Sequence, residues 1–219
     1  MRLSLVNRRC YRRHFIAAGL IAAVAGVSAA AAVKATTILV LGDSLSAEYG
    51  LKRGSGWVAL LEQKLQTEKI AAAVVNASIS GDTTSGGRSR LAALLTQHQP
   101  THVVIELGAN DALRGLALQL SQDNLNQMTS MAQKAGAKVL LIGMQVPPNY
   151  GRDYNARFAS MFADVAKDHK VALVPFLLKG VADVPDSTRL FQADRIHPRE
   201  EAHPVILGNV WSELRKLLK

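Results

Sequence analysis

A small set of residues, far apart in the chain, carries the chemistry this sequence could do. Ser44 stands in Gly42-Asp43-Ser44-Leu45-Ser46, a hydroxyl close to a small glycine. His197 stands much later, in Asp194-Arg195-Ile196-His197-Pro198. An imidazole can accept the proton of a serine hydroxyl. Asp194, three residues earlier, can reach its Nδ1 across one turn, fix the tautomer and stabilise the imidazolium. Gly81, in Ser80-Gly81-Asp82, exposes a backbone N–H with no side chain in the way. Asn110, in Gly108-Ala109-Asn110-Asp111, offers a side-chain amide donor. With the N–H of Ser44 these donors make an oxyanion hole. Nucleophile, base, orienter and oxyanion donors are the minimum set for acyl transfer. Singly, each has an ordinary alternative. A serine after a strand caps a helix, a loop asparagine supports a turn, and Asp-x-x-His before a helix combines a cap with a surface residue. The set means something only if one fold gathers the four segments.

The elements that would do so are short apolar runs bounded by turn residues. They are Thr37–Leu41, Ala71–Val75, Val103–Leu107, Val139–Ile142 and Val171–Val174, each reading as a strand buried on both faces. Helical periodicity lies between them. It is carried by Trp57, Leu60, Leu61 and Leu65, by Leu91, Leu94 and Leu95, and more weakly by Leu125, Met128 and Ala132. Tyr154, Phe158, Met161, Phe162 and Val165 form a fourth face, and Leu207, Val210, Trp211, Leu214 and Leu218 the last. Strict alternation of strand and helix predicts an α/β fold, a three-layer α/β/α sandwich around a parallel five-stranded sheet. Right-handed crossovers leave few topologies, and the flavodoxin-like order 2-1-3-4-5 is expected. Ligands then bind outside the carboxyl ends of the strands, at the switch between the first and third. Ser44, Gly81 and Asn110 follow strands one, two and three, and Asp194 and His197 precede the last helix, so all converge on one crevice.

The chain has 219 residues, a formal net charge of +9 and one cysteine. Nearly half its residues are hydrophobic and a fifth charged, the balance of an ordinary globular protein. The basicity, which might suggest nucleic acid, belongs largely to the beginning. Residues 1–35 hold six of the 26 basic residues and no acidic one, so the rest is close to neutral. No nucleic-acid partner is expected. A basic stretch to His14, an uncharged Ala-, Gly-, Ile- and Val-rich run over Phe15–Val33 and Ala-x-Ala choices near Ala29–Ala35 have the layout of a cleaved secretory signal peptide. The alternative is an uncleaved anchor, but the alanine richness disfavours it. Residues 1–35 are thus read as leader and 36–219 as the functional domain. Export to the periplasm or medium would use either the Sec or the twin-arginine route, since Arg12-Arg13-His14-Phe15-Ile16 matches part of the latter's motif. Cys10 is lost with the leader, which excludes a cysteine nucleophile, a disulfide scaffold and thiolate metal sites from the mature chain.

The blocks around Ser44 (GDSLS), Gly81, Asn110 and Asp194/His197 (DxxHP) resemble those of the SGNH (GDSL) hydrolases, in the family's order and over nearly all of residues 36–219. The stretches VVNASISGDT, VIELGANDALRG, PPNYGRDYN and DRIHP are similar to a periplasmic thioesterase, lysophospholipase and arylesterase branch. The resemblance implies a serine esterase with Ser44, Asp194 and His197 as triad. Ser44, Gly81 and Asn110 would be the oxyanion hole. It implies no cofactor, no metal, a monomer, and fatty acyl esters, thioesters and lysophospholipids as substrates. One position departs from the pattern: Ala109 stands where the family has a second glycine, so its β-carbon is expected to narrow the crevice or restrict the loop. The GxSxG elbow of α/β-hydrolases is absent.

Several residues invite over-reading. Asp43, Asp82 and Asp111 are expected to organise loops by accepting backbone N–H groups. His203, six residues after His197, lacks the further ligands of a metal pair and is expected at the surface. His98, His102 and His169 have no sequence partners. Gly86-Gly87 reads as a loop or helix entry. The loop Gln145–Arg152 either walls an acyl groove or is a plain proline-stiffened connection. Two other functions stay open: a carbohydrate O-deacetylase, though aromatics for sugar stacking are scarce, and a flavodoxin-like binding module, which would have no use for the serine, base and acid together.

Overall fold

The computed structural model describes residues 35–219; the leader and Cys10 lie outside the described residues. Five parallel strands form one sheet: β1 (Thr36–Gly42), β2 (Ala72–Asn76), β3 (His102–Glu106), β4 (Lys138–Ile142) and β5 (Ala172–Val174), in the order β2-β1-β3-β4-β5. The helices are α1 (Trp57–Thr67), α2 (Thr84–His98), α3 (Ala109–Leu113), α4 (Leu118–Lys134), α5 (Arg152–His169) and α6 (His203–Leu217). Helices α1 and α6 pack together on one face, and α2, α4 and α5 form the other layer. The expected fold class and strand order are what is observed.

Burial explains the arrangement. Ile38, Leu39, Val40 and Leu41 of β1 are wholly enclosed, as are Val103 and Val104 of β3. β-Branched and leucine side chains on both faces of a central strand are what a doubly covered parallel sheet requires. The expectation of two buried faces fails for β2 and β5. As edge strands they have only one strand neighbour each, and most of their residues are half-buried or exposed. The predicted helical faces are the ones that turn inwards. Leu125, Met128 and Ala132 of α4 are buried, as are Phe158, Met161, Phe162 and Val165 of α5. The helix α3 was not expected. It begins in what the sequence offers only as the loop after strand three and runs two residues past it.

The register places the chemistry. Gly42, the last residue of β1, lies opposite Glu106, the last of β3. The loops that leave these two strands at the sheet's carboxyl edge carry Ser44 and Asn110, at the topological switch point.

Candidate active site

β1 runs directly into the turn that carries Ser44. The N–H groups of Ser46 and Ala47 donate to the Asp43 carbonyl at 3.2 and 3.0 Å. Asp43 Oδ1 accepts from Leu45 N–H at 3.0 Å. The hydroxyl of Ser44 therefore sits on a stiff turn at the end of a central strand.

His197 is held by a loop folded back on itself. Phe191 and Pro198 pair as an antiparallel bridge, and Gln192 N–H donates to the His197 carbonyl at 2.8 Å. The Gln192 amide donates to Pro198 O at 3.1 Å and to Tyr49 O at 2.9 Å, tying this loop to the Ser44 turn. Arg195 takes a left-handed φ of 58°, a strained value for a side-chain-bearing residue. That bend lets Asp194 Oδ1 accept from Ile196 N–H at 2.9 Å and from His197 N–H at 3.0 Å.

The side chains then form a line. Asp194 Oδ2 lies 2.7 Å from His197 Nδ1, and His197 Nε2 lies 2.8 Å from Ser44 Oγ. Burial pushes the Asp194 carboxyl up, but the His197 backbone and ring, the Ile196 N–H and the His197 charge outweigh it and hold the carboxyl down at about 2. An ionised carboxylate only accepts, so Nδ1 carries the ring proton and Nε2 presents a lone pair to the serine hydroxyl. The Tyr49 ring lies over the imidazole, with centroids 4.3 Å apart.

The other two predicted residues are Gly81 and Asn110. Gly81 has φ of 78°, and a β-carbon there would meet only Arg114 Nη2, at 3.4 Å. Backbone conformation rather than crowding thus selects glycine. Arg114 donates to the Gly81 carbonyl at 2.6 Å. Among the described residues, neither the Ser44 nor the Gly81 N–H has an acceptor, so both are free for a ligand. Asn110 differs. Its Nδ2 donates to Asp43 Oδ2 and to the Asp82 carbonyl, both at 3.0 Å. Both amide protons are already engaged, so a bond to a ligand requires one to be exchanged or shared.

The neighbouring carboxylates behave as loop organisers. Asp82 accepts from Thr83 N–H and pairs with Arg90. Asp111 accepts from the Thr84 N–H and hydroxyl and from the Ser121 hydroxyl, while Asn124 donates to the same Thr84 hydroxyl. This buried cluster welds α3 to the start of α2. Ala109 costs no backbone strain, because the residue with unusual geometry is Gly108, with φ of 122° and the Phe162 ring close by. The Ala109 methyl instead lines the cavity.

His203 corrects the sequence reading. It is buried, and its Nδ1 accepts the Trp57 N–H at 3.0 Å, capping α1 from the start of α6. Gly56, before α1, has no side chain to supply that bond, so a histidine brought in by tertiary packing does so. Sequence reasoning also passed over Glu106, Tyr49 and Gln192. For Glu106 a signal existed, a carboxylate directly after the apolar residues Val103, Val104 and Ile105. Tyr49 and Gln192 act through loop packing, which leaves no local pattern.

A cavity of about 1000 Å³ opens beside Ser44 and His197. Val146 and Pro147 of the loop after β4 line it, with Leu113, Ala159, Phe176 and Leu178. That loop therefore walls the cavity as well as joining β4 to α5.

Residues 40–205 match the model of the GDSL-like lipase/acylhydrolase family. Esterase TesA of Pseudomonas aeruginosa is 52% identical over 184 residues, covering 84% of this chain and 90% of the relative. A crystal structure of TesA, 52% identical in sequence, superposes with a TM-score of 0.80, covering 83% of this chain and 99% of that one. Thioesterase 1/protease 1/lysophospholipase L1 of Escherichia coli K12 is 43% identical over 187 residues, 85% of this chain and 87% of the relative. A psychrotrophic esterase EstA from Pseudoalteromonas, solved inhibited by monoethylphosphonate, has 43% identity and a TM-score of 0.78, covering 84% and 98% of the two chains.

Proposed function

The chain belongs to the GDSL-like lipase/acylhydrolase family and is an ester hydrolase, and from that premise we propose that it cleaves acyl esters and thioesters through Ser44, His197 and Asp194. The observation that carries the reading is the unbroken line from Asp194 to His197 to Ser44, ending at an apolar cavity. Ser44 Oγ attacks the acyl carbonyl while its proton passes to His197 Nε2. The imidazolium is stabilised by the Asp194 carboxylate, which stays ionised because its carboxyl is held at about 2. The carbonyl oxygen becomes an oxyanion facing the free N–H groups of Ser44 and Gly81 and the Asn110 amide. Collapse breaks the bond to the alkoxide or thiolate, which leaves with the proton from His197. Water, activated by the same imidazole, then releases the carboxylic acid and restores Ser44.

The cavity supports a chain longer than acetyl. Its lining comes from segments after β1, β3, β4 and β5, three inter-strand steps or roughly 14 Å at the usual strand spacing. Medium acyl chains fit that span, whereas an acetyl-sugar deacetylase would leave most of it unused. The leader assigns the working place to the periplasm or medium, with residues 36–219 as the mature hydrolase. The substrate reading is tested with p-nitrophenyl esters of graded length beside acyl-CoA and acetylated xylan. The expected result is kcat/KM rising from acetate to medium chains. Activity confined to acetyl esters, with xylan preferred, would return the reading to the deacetylase.

A further inference from the structure

Beneath the nucleophile turn lies a carboxylic pair that the steps above leave unused. Glu106 is wholly enclosed and Asp43 is 1% exposed. Glu106 Oε2 accepts from the Ser46 hydroxyl at 2.7 Å and from Asp43 N–H at 3.3 Å. Its Oε1 is buried and receives no donor. The glycine opposite, Gly42, leaves room for it, since a β-carbon there would come within 2.8 Å of both Glu106 Oε2 and Ser46 Oγ. Asp43 faces two ways. Its Oδ1 holds Leu45 N–H, next to the nucleophile, and its Oδ2 holds the Asn110 amide.

Among the described residues, no lysine or arginine acts on either carboxyl. The titratable groups that do are each other and, for Asp43, His197. Two carboxylates buried in contact without a cation do not both ionise at modest cost, so one proton is shared between them. Burial, and then the Asp43 charge, pushes the Glu106 carboxyl well up. Burial likewise raises Asp43 to about 6, against the bonds from Leu45 and Glu106, the His197 charge and the Asn110 amide. Asp43 is the better-solvated charge, with donors on both oxygens, whereas Glu106 has an oxygen with none. The proton therefore resides on Glu106 and the charge on Asp43.

We propose that Glu106 is a positioning residue of this hydrolase: as a neutral acid it donates to Asp43 and so holds one carboxylate between the Ser44 turn and the Asn110 amide. The proposal rests on the assignment of Ser44 and Asn110 made above. If Glu106 ionises, like-charge repulsion drives the two carboxyls apart, and Leu45 and Asn110 lose a fixed acceptor. Ground-state binding in the apolar cavity is untouched. The loss should fall on kcat rather than KM.

The test is kcat and KM between pH 5 and 10 for wild type, Glu106→Ala and Glu106→Gln on a short p-nitrophenyl ester. Glu106→Ala removes the donor and should lower kcat about tenfold or more, with KM within about twofold. Glu106→Gln supplies an amide donor in the same place and should recover most of that loss. Because an amide has no proton to lose, Glu106→Gln should also lack the wild-type fall of kcat at high pH. A Glu106→Gln profile identical to wild type, or a folded Glu106→Ala with wild-type kcat, overturns the proposal. If Glu106→Ala does not fold, the Glu106→Gln profile alone decides. Ser44→Ala run alongside separates the two levels. An active Ser44→Ala defeats the nucleophile assignment and the proposal with it, while an inactive one beside an unmoved Glu106→Gln profile defeats only the role of Glu106.

Discussion

Asn110 is asked to do two jobs with one amide. Both its protons are engaged, by Asp43 and by the Asp82 carbonyl. As the oxyanion forms, its growing charge makes it a stronger acceptor than a neutral carbonyl, so the exchange is favourable only near the transition state. Removing one such donor costs about 10²–10³ in kcat. Asn110→Ala should therefore lower kcat by that order on a short p-nitrophenyl ester and change KM little. Wild-type kcat in a variant with a native circular dichroism spectrum would take Asn110 out of the reaction. At this scale Ser44, Gly81, Asn110, Asp194 and His197 were legible as candidates because the chemistry needs their types together; Ser44, Asn110 and His197 line the cavity and Asp194 bonds His197 from behind. Glu106 was visible only as a carboxylate in an apolar run, and its meaning lies in an enclosure that only the β1–β3 register creates.

Among the elements, α3 is the one the sequence concealed. Five residues are too few for a helical period to show, and an isolated helix of that length does not hold in water. Its support is the Asp111 cluster, which fastens it to Thr84 at the start of α2 and Ser121 in α4. Asp111→Ala strands three buried donors, each costing about 1–3 kcal/mol without a partner. Urea denaturation should show a loss of at least about 2 kcal/mol, and a loss under half that would mean the cluster is not what holds α3. The strands were readable to within a residue and the longer helices by their inward faces, since apolar spacing is the burial pattern itself. The edge strands misled, because Ala71–Val75 and Val171–Val174 look as apolar as a central strand, and position in the sheet is a tertiary fact. His203 misled for the same reason, since its partner, the Trp57 N–H, lies 146 residues away.

At the scale of the whole molecule, the separation of a basic leader from a nearly neutral domain argues for export, and it has a simple consequence. Mass spectrometry of the exported protein should place the mature N-terminus near residues 30–36, and a full-length chain in the membrane fraction would contradict cleavage. The fold then delivers the proposed nucleophile, through a sheet whose switch point lies between β1 and β3, to a cavity that crosses to β5. That single serine is the centre of the account. A fluorophosphonate titrated against the protein, with the modified peptide identified by mass, interrogates it most directly. The expected result is one phosphonyl group per chain, on the peptide bearing Ser44, with esterase activity lost in the same proportion and no labelling of Ser44→Ala. Stoichiometric inactivation with the label on another residue, or labelling that persists in Ser44→Ala, would contradict it.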